Sequence, residues 1–184
     1  STFQDYVLQL VVSKSGMGRL ILHDLAPDGR ALLERATLRS EMMFRRASEA
    51  EDRDLSWLDF SAPEGIAPDG GTLLFYESGQ GGGADYSTFL RKTDGSLPVR
   101  VGSGRALALS PDGRWVLSVS LRKPDSMALT PTGPGGTRKL QVAGLVAHEA
   151  AGFVGNDGQI FGTGRDGAGK RATWLTDIAG ATPR

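Results

Sequence analysis

The sequence predicts an all-β repeat protein, and three observations predict it. Four segments share an apolar run, an Asp-Gly turn and a second apolar run: HDLAPDGRALLERA at 23–36, EGIAPDGGTLLFYES at 64–78, LALSPDGRWVLSVS at 107–120 and GFVGNDGQIFGTG at 152–164. Their turn glycines, Gly29, Gly70, Gly113 and Gly158, fall 41, 43 and 45 residues apart. Glycine is also abundant, at 26 of 184 residues, about twice the ordinary share. A period of this length is that of one four-stranded β-propeller blade. The expected fold is therefore a β-propeller of about four four-stranded blades, either a small closed ring or part of a larger one.

Within each unit the order is strand a, Asp-Gly turn, strand b, loop, strand c, turn, strand d. Pro presets φ at the second turn position, Asp tolerates the third and bonds the backbone, and Gly takes the positive φ that follows. Strand b is clearest at Arg114–Ser120, where Trp115, Leu117 and Val119 alternate onto one face. Third strands are expected over 86–92, 126–130 and 171–177, each followed by a glycine turn: Asp94-Gly95, Gly135-Gly136 and Gly180. The units then run over 20–60, 61–103, 104–145 and 146–184, in one domain spanning 1–184. Unit one is the poorest copy. Its strand c falls over 42–47, and the charged run 49–54 stands where the second glycine turn should be; no helix is expected there. Residues 6–12, YVLQLVV, form an unassigned apolar strand that either completes the last blade or ends a blade further upstream. An unclosed ring would favour a homodimer through its open faces.

Composition excludes several functions. Lys plus Arg and Asp plus Glu are both 21, so a dedicated nucleic-acid surface is not expected. No apolar run reaches the length of a membrane span, so no direct membrane insertion is predicted. The absence of Cys excludes disulfides, iron–sulfur clusters and thiolate zinc sites. Cysteine absence does not fix the compartment.

The repeated apolar strand, Ser-Pro-Asp-Gly-type turn, second strand and later Asp-Gly resemble the TolB-type, WD40-like propeller repeat over roughly residues 20–180. Asp54-Leu-Ser-Trp-Leu-Asp59, Gly79-Gln-Gly-Gly-Gly83 and Leu90-Arg-Lys-Thr-Asp-Gly95 are similar to the propeller region attached to bacterial serine/threonine protein kinases. That resemblance implies a bacterial multidomain protein, cytoplasmic or extracytoplasmic, whose propeller binds a protein or peptide. It says little about activity, because propellers host many functions.

Short motifs with catalytic associations fail on context. Residues 164–170 match seven positions of a phosphate-binding loop, but Arg171 replaces the magnesium-binding hydroxyl and a strand, not a helix, follows. Ser120-Leu-Arg-Lys123 matches S-x-x-K without its companion boxes, and no G-x-S-x-G elbow exists. His23 and His148 each open a strand a in this reading and could face one channel. They support an alternative as a metal-dependent propeller hydrolase or lyase, although their offsets from the turn glycine differ. A third possibility is the non-catalytic propeller of a prolyl-oligopeptidase-like peptidase. The leading expectation is a non-enzymatic module without cofactor or metal.

Both glycine turns of a unit lie on one rim, which looks structural. Irregular b–c loops (78–85, 121–125, 164–170) and d–a connections lie on the other, where recognition is expected. The candidate binding residues there are Trp57, Asp59, Phe60, Asp85, Arg105, Arg122, His148 and Arg165. Trp57 and Phe60 are aromatic anchors with a polar surround, though Trp57 could instead pack between blades. Gly81–Gly83 reads as a flexible loop tip.

Overall fold

Three consecutive Asp-Gly turns are built alike, and the strands they join define the architecture. The computed structural model describes residues 18–37, 39–155 and 158–179. Gly29, Gly70, Gly113 and Gly158 have φ of 87°, 68°, 70° and 71°, the left-handed conformation the turn demands. In the first three turns the glycine N–H donates to the carbonyl three residues back, on Ala26, Ala67 and Ser110, at 2.8–2.9 Å. The Asp carboxylate accepts from the peptide N–H two residues on: Asp28 from Arg30 at 3.2 Å, Asp69 from Gly71 at 2.8 Å and Asp112 from Arg114 at 3.0 Å. A hydrogen bond from the Ser110 hydroxyl, with those from Arg114, holds the Asp112 carboxyl down at about 2. Threonines ending the third strands lock the turns from outside. The Thr93 hydroxyl donates to Gly70 O at 2.9 Å, and that of Thr132 to Gly113 O at 2.8 Å.

The chain divides into two compact units, Ser1–Ser40 and Glu41–Arg184. In the first, β1 (Gly18–Leu25) and β2 (Ala31–Thr37) form an antiparallel hairpin around the Gly29 turn. Residues 6–12, the proposed closing strand, lie outside the described residues.

The second unit begins with a short pair, β3 (Met43–Phe44) and β4 (Arg53–Asp54). The expected strand over 42–47 is thus only two residues long. No helix forms over the charged run; Arg53 pairs with Glu49 at 3.2 Å and lies over the Phe44 ring. Next comes a four-stranded antiparallel meander of β5 (Ser61–Ile66), β6 (Thr72–Glu77), β7 (Ser87–Lys92) and β8 (Val99–Ser103). A second meander follows, of β9 (Arg105–Leu109), β10 (Trp115–Val119), β11 (Met127–Pro131) and β12 (Arg138–Leu140). The last sheet has three strands among the described residues: β13 (Leu145–Val154), β14 (Gln159–Asp166) and β15 (Arg171–Asp177). This is the a-b-c-d order of a propeller blade.

Apolar clusters lie between successive sheets. Leu73, Phe75 and Phe89 pack with Met42 and Leu55. On the other face of the same sheet, Leu74 packs with Ala106 and Val116, flanked by Tyr76, Leu90 and Leu109. Leu117, Val119, Leu129 and Leu140 then pack with Ile160 and Trp174 of the last sheet. Strand β10 thus sends Leu117 and Val119 one way and Val116 the other. Its Val116 and Ser118 are as buried as the predicted face, because a sheet sandwiched between two others has no solvent side.

The inner strands share one irregularity. A residue is inserted out of register at His23 in β1, Glu64 in β5 and Leu107 in β9, each six residues before its turn glycine. Strand β13 carries two such bulges, at Val146 and Glu149. Bulges re-aim a side chain without breaking the flanking ladder.

Candidate functional site

The connection 55–60 between β4 and β5 is pinned at nearly every residue. Buried Glu77, ending β6, accepts the N–H of Leu58 and of Phe60, each at 3.2 Å, and the Ser61 hydroxyl through a short hydrogen bond. The Trp57 N–H donates to Ser61 Oγ at 2.9 Å. Arg91 of β7 donates to the carbonyls of Leu55 and Ser56 at 2.7 and 2.8 Å, and to those of Gly95 and Ser96. Trp57 and Leu58 stand out from this fixed backbone, 38% and 37% exposed. The rest of the Trp57 surface is covered, so exposure and packing coexist at this residue. Phe60 and Asp59 are half-buried beside it.

The neighbouring b–c loop packs onto this connection. Residues Gln80–Gly82 form a 3-10 turn, which takes in Gly81 and Gly82 of the expected tip. A Cβ on Gly79 would lie 2.2 Å from Asp59, and one on Gly81 would lie 1.9 Å from Leu58. At the loop's end Asp85 accepts the N–H of Leu121 at 2.7 Å and of Arg122 at 3.3 Å. One predicted binding residue therefore caps the next loop, and Arg122 leaves that loop exposed to solvent. Loop 121–125 is held in turn by β13, whose His148 N–H donates to Pro124 O at 2.7 Å.

The predicted arginines meet at β13. Arg105 of β9 donates to the Glu149 carbonyl through a short hydrogen bond. The Glu149 carboxylate takes Arg165 of β14 at 2.7 Å and Arg171 of β15 at 3.2 Å. Arg165 sits within β14, not in the expected loop 164–170, which narrows to four residues. Neither Glu149 nor Arg171 was among the expected binding residues, and the bulge that aims Glu149 leaves no mark on the apolar pattern.

His148 differs from its expectation. It is the fourth residue of β13, and its ring is 5% exposed, edge-on to Trp174 with centroids 5.4 Å apart. The side chain is therefore buried and not a solvent-facing contact, although its N–H reaches loop 121–125. Burial pushes its pKa down, opposed by the nearby backbone and carboxylate of Asp125. Neither ring nitrogen has a close hydrogen-bond partner. His23 is the sixth residue of β1 rather than its first, and bonds Glu34 at 2.7 Å.

Between the two meanders, Tyr76 and Tyr86 stack with centroids 5.5 Å apart. Tyr86 has φ of 61°, a strained conformation for a non-glycine residue. Partial burial pushes the Glu64 carboxyl up, against the pull of Arg105. Burial also raises Tyr76, with Glu64 adding to it.

The turn rim is not featureless either. A cleft of about 410 Å³ lies over Leu90, Val101 and Leu109 beside exposed Leu97 and Val99. Another, of about 430 Å³, borders Trp115 and Arg138, whose guanidinium stacks 4.9 Å from the ring centroid.

Comparison with known proteins separates fold from sequence. No family model matches the chain, and no curated protein matches it. Solved structures do. One described as TolB from Agrobacterium tumefaciens superposes with a TM-score of 0.64 at 14% identity, covering 91% of this chain and 61% of that one. TolB from Acinetobacter baumannii gives 0.63 at 17% identity, covering 88% of this chain and 42% of that one. The fold is a TolB-like β-propeller. The chain spans less than two thirds of either TolB structure, and at this identity the TolB likeness is one of fold.

Proposed function

We propose that the chain is a non-catalytic binding module that takes a protein or peptide ligand on its loop rim, as part of a larger bacterial protein such as a kinase-linked sensor. The observation that carries this reading is the exposed Trp57-Leu58 pair on a backbone held by Glu77, Ser61 and Arg91. A rigid, solvent-facing tryptophan with an aliphatic neighbour is the arrangement of an interface hot spot, because little entropy is lost when it is covered. Asp59 and Phe60 flank it, and Asp85, Arg105, Arg122 and Arg165 supply the polar surround. TolB-like architecture is consistent with such a role without assigning a ligand.

The test is selection of a displayed random peptide library on the full chain, followed by titration of the selected peptides. Trp57→Ala is expected to weaken their binding by about tenfold or more, with an unchanged melting temperature. Peptides that bind both proteins equally would defeat the proposal.

A further inference from the structure

We infer that Arg105, Arg165 and Arg171 form an oxyanion site, taking a carboxylate or phosphate group beside Glu149. Three guanidiniums from three different strands converge on this one residue. Two share its carboxylate, at 2.7 and 3.2 Å, while Arg105 reaches only its carbonyl. Two guanidiniums thus share a single carboxylate, and the third meets only a neutral carbonyl.

The strand register sharpens the imbalance. Arg165 and Arg171 are direct cross-strand partners in the β14–β15 ladder, a placement in which like charges repel. Glu149 can reach both only because it is the inserted residue of a β13 bulge. Arg105 supplies an independent observation: its Nε is buried and has no hydrogen-bond partner. A buried guanidinium N–H left unpaired is costly, and an arriving acceptor oxygen would satisfy it. The nearest competing carboxylate, on Glu64, acts on Arg105 without forming an ion pair.

Arginine suits this task because its planar fork matches both carboxylate and phosphate oxygens. The side chains of Arg165 and Arg171 are 45% and 74% exposed, so solvent-borne anions have access. Glu149 then serves as the internal stand-in, holding the forks in position until a ligand competes for them. Arg105 and Arg165 also belong to the proposed loop-rim surface, but anion binding at Glu149 does not depend on the peptide reading.

Calorimetric titration of the full chain in low-chloride buffer tests it, using sodium phosphate in one arm and sodium succinate in the other. Saturable binding of at least one anion is expected. Arg171→Gln should weaken it by about tenfold, whereas Glu149→Gln should tighten it by releasing two guanidiniums. A purely structural cluster predicts no such opposite signs. Saturation by phosphate alone would assign the site to phosphate groups, and saturation by succinate alone to carboxylates. Absence of saturation with both anions, or wild-type affinity in Arg171→Gln, would overturn the inference. Exposed Arg171 keeps the test valid even if Glu149→Gln loses the fold, which a thermal melt would reveal.

Discussion

The Asp-Gly turns solve one problem the same way three times; the loops and connections solve a different problem at each position. At Asp28, Asp69 and Asp112 the carboxylate meets the peptide N–H two residues on, before a glycine of positive φ. Across the molecule, Glu77 fastens one connection, Asp85 caps a loop from the neighbouring sheet and Glu149 gathers three arginines. Repetition marks chemistry that the fold needs in every blade. Unrepeated polar constructions at equivalent places are where a blade has been adapted individually, and that is where the binding proposals lie.

Glycine substitutions test this contrast most severely. Gly104, joining β8 to β9 on the loop rim, has φ of 101°, and an added Cβ would lie 2.7 Å from Val119 O. Its backbone also accepts from Thr88 and donates to Tyr86 O, so the clash cannot relax locally. Gly104→Ala is expected to cost about 3 kcal/mol or more in denaturant unfolding. Gly70→Ala, on the turn rim, meets nothing within 4 Å and bears only the left-handed backbone penalty of about 1–2 kcal/mol. Equal costs would remove the distinction between the rims.

The carboxylate devices should differ in the same sense. Glu77→Ala leaves two peptide N–H groups and the Ser61 hydroxyl without their acceptor, an expected loss of about 2–4 kcal/mol. It should also release Trp57, visible as a red shift in tryptophan emission. Unchanged emission would show that Arg91 alone holds the connection.

Acid titration sharpens the comparison most gently. His148 has its pKa held below 6.5 in the folded state by burial. As pH falls below 6.5, the unfolded chain takes up a proton that the folded chain refuses, so stability declines. His148→Phe should abolish that limb. Asp112 behaves oppositely: its pKa is lowered from 3.8 to about 2, so its contribution is complete above 3.8 and disappears as pH falls through 2. Asp112→Asn should flatten that lower window alone. The check is unfolding free energy against pH, and a single common limb in all three proteins would contradict the assignment.

Much of the fold was legible because Asp-Gly and Pro-Asp-Gly turns act locally. Strand β15 falls on the predicted residues, and β7, β10 and β11 within a residue or two. Arginines 105 and 165 were singled out from expected loop placement, whereas they stand in β9 and β14. Glu77 was not: it completes an apolar strand like any polar end residue, and its three partners lie 16 to 19 residues earlier. His148 misled for a related reason. Counting back from the turn cannot see the bulge at Glu149, which shifts the side chains beyond it, His148 first, to the opposite face. The seven-position phosphate-loop match at 164–170 became an ordinary strand-to-strand turn, with Asp166 accepting the N–H groups of Ala168 and Lys170.

The inserted residue six positions before the turn has a consequence for engineering. His23, Glu64 and Leu107 occupy that place with a base, an acid and a hydrocarbon, and the ladder closes on either side of each. A position so indifferent to chemistry is an address into which a reporter, a crosslinker or a new ligand group can be written. In β1, β5 and β9 the coordinate is counted from a glycine that any reader of the sequence can find, whereas β13 places its insertions elsewhere.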